Sequence, residues 1–249
     1  MEFSEDEVQR YARHILLAEV GGAGQALLRA ARVLIVGAGG LGSPLALYLA
    51  AAGVGRIGIV DDDRVELSNL QRQIAHTLAG VGANKAVSAA AAMRAINPLV
   101  EVVAHAERLE PGNVGALIEG YDIICDGTDN FATRFLLADA AWRAEKTLIS
   151  AAVLRFEGQL ATFRPGPGNP CYRCLYPAPP PDGLVPSCAE AGVLGAVTGV
   201  MGTLQATEVL KEILRIGEGL VGKLLIWDAL SMRFRLISLS ADPNCRLCG

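Results

Sequence analysis

The chain lacks any apolar run long and unbroken enough to cross a membrane. The nearest candidate, residues 191–204, is too short and is interrupted by Gly192, Gly195, Gly199 and Gly202, so no membrane partner is expected. Basic residues are missing from the start, which reads Met-Glu-Phe-Ser-Glu-Asp-Glu, the opposite of a signal peptide. Positive charge is not in excess either. Lys and Arg number 22 against 26 Asp and Glu, a net charge of −4, which argues against a nucleic-acid surface. No internal repeat and no separating linker is found. These absences point to a cytoplasmic chain whose cysteines stay reduced. Its 249 residues, 51% of them hydrophobic, suffice for a substantial core.

What is present alternates between strands and helices. Ser4 followed by Glu7 has the form of a capping box, opening a helix to about residue 17, and a second short helix fits 25–31. A buried strand over 32–37 runs into a glycine turn and a helix over 41–52. Strands over 56–61, 100–104, 121–126 and 147–152 follow, with helices over 85–96, stopped by Asn97-Pro98, and 130–144. The alternation predicts an α/β fold, a doubly wound, mainly parallel sheet covered by helices on both faces. The pattern then changes. Residues 155–164 read as an antiparallel hairpin element and 223–228 with 234–239 as another. Between them lie a Pro-rich surface loop, 177–186, and a long helix, 192–215. The expected organisation is one continuous domain over 1–249, made of N-terminal helices (1–31), a nucleotide-binding half (32–154) and a C-terminal half with antiparallel additions (155–249).

Four of the six cysteines form two C-x-x-C pairs, Cys171 with Cys174 and Cys245 with Cys248. Two thiolates at that spacing on a tight turn can face one ion, and two such pairs complete the tetrahedral sulfur cage that Zn²⁺ prefers. No ligand position is left open, so the ion reads as a structural clamp. A redox C-x-x-C and a pair of disulfides are the competing readings. Cys125 lies in an apolar strand and reads as core.

Gly37-Ala-Gly39-Gly40-Leu-Gly42 is a G-x-G-x-x-G turn between a strand and a helix, where bare backbone and unpaired helix N–H groups can meet phosphate. Asp61, ending the next strand, stands where a carboxylate hydrogen-bonds ribose hydroxyls. A dense polar stretch follows, containing Asn69, Arg72 and Gln73, then Lys85 at a helix start and Asp129 after the fourth strand. Two cations and a carboxylate around a phosphate turn suit a triphosphate with Mg²⁺ better than a nicotinamide. Simpler readings exist: solvated charges for Arg72 and Lys85, a helix N-cap for Asp129, and a tight turn without ligand for the glycines.

The segments RYARHI, VLIVGAGGLGSPLALYLAAAGVG, VDDDRVELSNLQRQ, CDGTDN, PCYRCL, CAEAGVLG and CRLCG occur in this order along essentially the whole chain. Together they resemble the MoeB- and ThiF-like adenylyltransferases, bacterial relatives of the ubiquitin-activating enzymes. The resemblance implies a Rossmann-like fold of the single-domain form, without an appended rhodanese domain. It implies that ATP is used to adenylate the C-terminal glycine carboxylate of a ubiquitin-like sulfur carrier ending in Gly-Gly, for molybdopterin biosynthesis or, alternatively, on the thiamine carrier. On this chain it places Gly40 in the phosphate turn, Asp61 on the ribose, Asn69, Arg72 and Lys85 on the phosphates, and Asp129 on Mg²⁺. Arg13 would reach the partner subunit's ATP site in a homodimer; its plain reading is an exposed helix charge. The C-terminal half would bind the carrier and hold the zinc, and a separate sulfur donor would be needed. Cys188, after the Pro-rich loop, occupies the family's active-cysteine position. A reactive thiolate and an inert thiol are both open for it. Two other classes compete: an NAD-dependent oxidoreductase, which leaves Arg72, Lys85, Asp129 and the cysteines without a role, and a non-catalytic zinc-stabilised binding protein.

Overall fold

The structure, a computed structural model, describes residues 3–181, 184 and 191–249. Cys188 lies outside the described residues, and so does most of its segment. Among the described residues one sheet has eight strands in the order β3-β2-β1-β4-β5-β6-β7-β8. They are β1 (Arg32–Val36), β2 (Arg56–Val60), β3 (Glu101–His105), β4 (Ile123–Asp126), β5 (Thr147–Leu154), β6 (Glu157–Phe163), β7 (Lys223–Asp228) and β8 (Arg233–Ser238). The first five pair in parallel and the rest antiparallel. The doubly wound, mainly parallel sheet with C-terminal antiparallel additions is therefore present.

Parallel strands buried on both faces must be apolar throughout, as Val33 to Val36 are. Alternate side chains feed two cores. Val33, Ile35, Ile57, Ile59, Ile123 and Cys125 join one with helices α3 (Gly42–Ala52), α4 (Lys85–Ile96) and the long α8 (Gly195–Leu214). Leu34, Val36 and Ile124 join the other with α5 (Val114–Glu119) and α6 (Phe131–Arg143). Cys125 is fully buried, as its apolar strand implied, and desolvation pushes its thiol pKa well up. The opening capping box is formed: the Ser4 hydroxyl accepts from the Glu7 N–H at 3.2 Å, and the Glu7 carboxylate from the Ser4 N–H at 2.8 Å. It starts α1 (Glu5–Ile15), which is followed by α2 (Gly21–Ala30).

Local detail sharpens the C-terminal half. Residues 155–164 supply the expected antiparallel element: β6 is the return arm of a hairpin with β5, turned at Arg155 with φ 55°, and it also pairs with β7, so both hairpin elements belong to one sheet. The long helix begins at Gly195, because Val193 is held by a bridge to Arg155. Two short helices, α5 and α7 (Tyr172–Leu175), were not anticipated; the first is a single apolar face flanked by glycines and the second is a turn between two cysteines. The limits of the remaining elements agree within a few residues.

Candidate active site

Strand order reverses between β1 and β4, because the chain winds outward to β2 and β3 and then returns. Ligands of such sheets bind at the carboxyl ends of the strands flanking that reversal. Register makes the point concrete. Val36 lies opposite both Val60 and Asp126, so the next residues, Gly37, Asp61 and Gly127, leave the sheet at one level. A cleft of about 330 Å³ opens there. Gly37 (φ 97°) starts the turn in a conformation side chains avoid, and a Cβ on Gly42 would sit 1.8 Å from the Gly37 carbonyl oxygen. The first turn of α3 has no side-chain cap; the Ser43 N–H donates to the Gly39 carbonyl at 2.9 Å, which closes the glycine turn onto the helix start.

Of the residues expected at the site, Gly37, Gly39, Gly40, Asp61, Arg72, Lys85 and Asp129 line this one cleft. Asp61 is half-buried and braces the turn: one carboxylate oxygen accepts from the Ala38 N–H at 2.7 Å and the other from the Asp63 N–H at 2.9 Å. Burial raises its pKa, against the opposing pull of the Ala38 N–H and the Lys85 charge. Lys85 is buried, with its ammonium 2.7 Å from the exposed Asp63 carboxylate. Asn84 caps α4 through Val87 and also donates to the Asp61 and Asp63 carbonyls, so the cap that starts the helix also aims Lys85 at the turn. Arg72 is half-buried and donates to the Ser68 carbonyl. Asp129 is exposed at the rim and does not cap α6; Asn130 does, accepting from the Thr133 N–H at 2.9 Å.

Three residues named from the sequence do not line the cleft. Asn69 is buried beside the cleft, where its carboxamide oxygen accepts from the Glu66 N–H and closes a 3-10 turn (Leu67–Asn69); it does not line the cavity. Gly42 sits behind the turn. Arg13 is exposed on α1, away from its own chain's cleft. Several lining residues had no role assigned from sequence: Gln73, Arg108, Thr128, Arg134 and Thr198. Gln73 lies in the SNLQRQ segment and Thr128 in CDGTDN. Thr198 carried no local signal, being brought from α8 against Gly40, where a Cβ would meet it at 3.1 Å. His76 lies just behind the turn, its ring nitrogens 2.9 Å from the Ala38 carbonyl and 2.9 Å from the Ser88 hydroxyl. Desolvation lowers its pKa, so it serves as a neutral brace for the glycine turn.

The cysteine pairs come together as their spacing predicted. The Sγ atoms of Cys171, Cys174, Cys245 and Cys248 lie within 4.8 Å of one another, with close pairs at 3.4, 3.5 and 3.8 Å. Four sulfurs about 2.3 Å from one ion stand roughly 3.8 Å apart in a tetrahedron. The cluster can therefore hold a metal ion, and its all-sulfur donor set suits Zn²⁺. Although burial opposes it, backbone N–H groups of Leu247 and Cys248 bring the Cys245 thiol down to about 7.

Comparison with known proteins agrees with this architecture. The ThiF family model matches residues 11–247. A sulfur carrier protein adenylyltransferase of Thermus thermophilus is 48% identical over 100% of this chain and 93% of its own length. The adenylyltransferase and sulfurtransferase MOCS3 of Bos taurus is 53% identical over 99% of this chain, and a probable adenylyltransferase/sulfurtransferase MoeZ of Mycobacterium tuberculosis is 52% identical over 97%. The chain spans only 54% and 62% of those two longer relatives. Among solved structures, Escherichia coli MccB superposes with a TM-score of 0.85 over 96% of this chain and 75% of MccB, at 24% identity, a likeness of fold. With the family model covering nearly the whole chain and relatives near half identity along it, this protein belongs to the ThiF family.

Proposed function

We propose that the protein uses ATP to adenylate the C-terminal carboxylate of a small ubiquitin-like sulfur carrier ending in Gly-Gly, releasing pyrophosphate. The observation that carries this reading is the convergence of the glycine turn, Asp61, Arg72, Lys85 and Asp129 on one cleft at the sheet's switch point. The names of the Thermus, bovine and mycobacterial relatives support the reaction class. The glycine turn and Asp61 would serve a dinucleotide as well, but the oxidoreductase reading leaves Arg72, Lys85 and Asp129 in the cleft without a role.

In the proposed reaction a carboxylate oxygen attacks the α-phosphorus, and the bond to the β-phosphate oxygen breaks with its electron pair leaving on pyrophosphate. Two anions must meet, so the residues' first task is charge compensation and alignment. The turn's backbone N–H groups and the α3 N-terminus would take phosphate oxygens, and Asp61 the ribose hydroxyls. Lys85 would exchange its contact with the exposed Asp63 carboxylate for a phosphate oxygen, so its buried charge stays paired. Arg72 would add a second cation from the cleft lining, and Asn69 would contact the phosphates only through a shift of its turn. Asp129 at the rim of the cleft would offer an oxygen donor to Mg²⁺, which would neutralise polyphosphate charge. Zn²⁺ in the cysteine cage would be structural.

We further assign the C-terminal half to carrier binding; its edge strand β8 exposes Phe234, Leu236 and Ile237. The protein is read as a single domain acting as a homodimer in which Arg13 completes the partner's site, with molybdopterin biosynthesis as the pathway and thiamine the alternative. The sulfur donor and any covalent part for Cys188 follow the adenylation step. Carrier-dependent ATP–pyrophosphate exchange tests the whole. It should fall by about 10²–10³-fold in Arg72→Ala and Lys85→Ala, the loss typical of one charge-stabilising group. Absence of exchange with every Gly-Gly carrier of the organism would refute it.

A further inference from the structure

The four-cysteine turn and the nucleotide cleft share α6. Tyr172 and Arg173, the two residues between Cys171 and Cys174, both pack against this helix. Tyr172 is 3% exposed and meets Phe135 of α6 and Phe163 of β6 edge-on, with ring centroids 5.2 and 5.5 Å away. Arg173 forms a bidentate pair with Asp139 one turn further along, at 2.6 and 2.7 Å, and its guanidinium lies 4.8 Å from the Phe135 centroid.

Arg134, next to Phe135, lines the cleft and donates to the Thr128 carbonyl. Its Nε is 3.9 Å from the carboxylate of Asp126, which is itself buried and accepts from Ser150 and Thr128. That Nε and the Tyr172 hydroxyl are both buried, and neither has a hydrogen-bond partner, although the phenol lies within electrostatic reach of the guanidinium. A buried N–H donor and a buried hydroxyl on either side of Phe135, within electrostatic reach of each other, are thus both left open, and buried polar groups are rarely left so.

We propose that Tyr172 is a positioning residue: its phenol oxygen accepts from the Arg134 Nε–H and fixes that guanidinium in the cleft wall. The four-cysteine turn then sets the geometry of the nucleotide site as well as holding segment 240–249. The proposal rests on the nucleotide reading of the cleft. It assigns the residue between the first two cysteines a task that metal ligation alone does not give it.

The test uses the metal-loaded full chain and Tyr172→Phe, which keeps the ring and removes the oxygen. Calorimetric affinity for α,β-methylene ATP with Mg²⁺, amide hydrogen exchange over 128–135 and zinc content are read together. Zinc content and Tm should be retained, affinity should fall about three- to thirtyfold, the range of couplings between neighbouring polar groups, and residues 128–135 should exchange faster. In an Arg134→Gln background the same change should add nothing, since its target is gone. Wild-type affinity and exchange in Tyr172→Phe, or additive losses in the double variant, would overturn the proposal. If the wild type binds no nucleotide, the cleft reading fails separately, and hydrogen exchange over 128–135 decides the positioning role alone. If Tyr172→Phe loses zinc, Arg134→Lys replaces it, keeping the charge but not the Nε–H; unchanged affinity in that variant would equally overturn the role.

Discussion

Segment 240–249 provides a direct test of the sulfur cage, because almost nothing else holds it. From residue 239 onward Cys245 is the only residue that is buried, and β8 before it is exposed along its whole length. Ordering about ten residues costs on the order of 10–20 kcal/mol of backbone freedom. The local hydrogen bonds that offset this are few: Asp242 N–H to the Cys174 sulfur, Asn244 N–H to the Asp242 carboxylate, Cys245 N–H to the Asp242 carbonyl, Gly249 N–H to the Cys245 carbonyl, and the Leu247 and Cys248 N–H groups to the Cys245 sulfur. At about 1 kcal/mol each they leave roughly 4–14 kcal/mol to be supplied. A structural Zn²⁺ site contributes about 10–16 kcal/mol, which closes the gap. Stripping the metal with a strong chelator, or Cys248→Ser, should therefore release 240–249 while the parallel sheet persists. Hydrogen-exchange mass spectrometry would show rapid exchange in that segment and protection retained in β1, β2 and β4. Persistent protection of 240–249 in verified metal-free protein would refute the reasoning, and so would metal analysis finding no zinc in carefully purified protein.

Three further outcomes follow from the same geometry. Gly42→Ala should destabilise the fold by more than about 3 kcal/mol in urea unfolding, because its Cβ would meet a backbone oxygen 1.8 Å away rather than a movable side chain. Asp61 has a raised folded-state pKa, so its contribution is fully present below the unfolded carboxylate value and is lost as pH rises through the folded one. Wild-type stability relative to Asp61→Asn should accordingly decline from acid toward neutral pH in urea titrations, and a difference independent of pH would contradict the assigned burial. If Arg13 acts in the partner's site, mixing inactive Arg13→Ala and Lys85→Ala chains should restore exchange, since one site of each mixed dimer would be intact; no recovery after verified subunit exchange would argue against it.

The adjacency of Lys85 and Asp63 shows how far local sequence carries. Asn84 is a readable N-cap and Lys85 a readable helix start, yet that the same asparagine bonds back to the Asp61 and Asp63 carbonyls depends on β2 and α4 meeting in space. Asp129 illustrates the converse. Its neighbour took the cap, a choice between adjacent Asp and Asn residues that turn geometry makes and composition does not. Asn69 stood in the most specific motif of the chain, and its side chain closes its own turn instead of facing the cavity.

By itself the sequence determined what depends on short-range periodicity and spacing: the β-α alternation, the glycine turn, the capping box at Ser4 and the two cysteine pairs. These are properties of a few consecutive residues, whose steric and hydrogen-bonding preferences hold wherever the segment lies. Tertiary structure alone decided which distant groups share a cavity or a wall. It joined the C-terminal antiparallel strands to the sheet through β6–β7 pairing, brought Thr198 against Gly40, and set the turn between Cys171 and Cys174 against α6, so that Tyr172 packs edge-on against Phe135. Such contacts arise from sheet order and helix packing summed over the whole chain, and no window of residues encodes them.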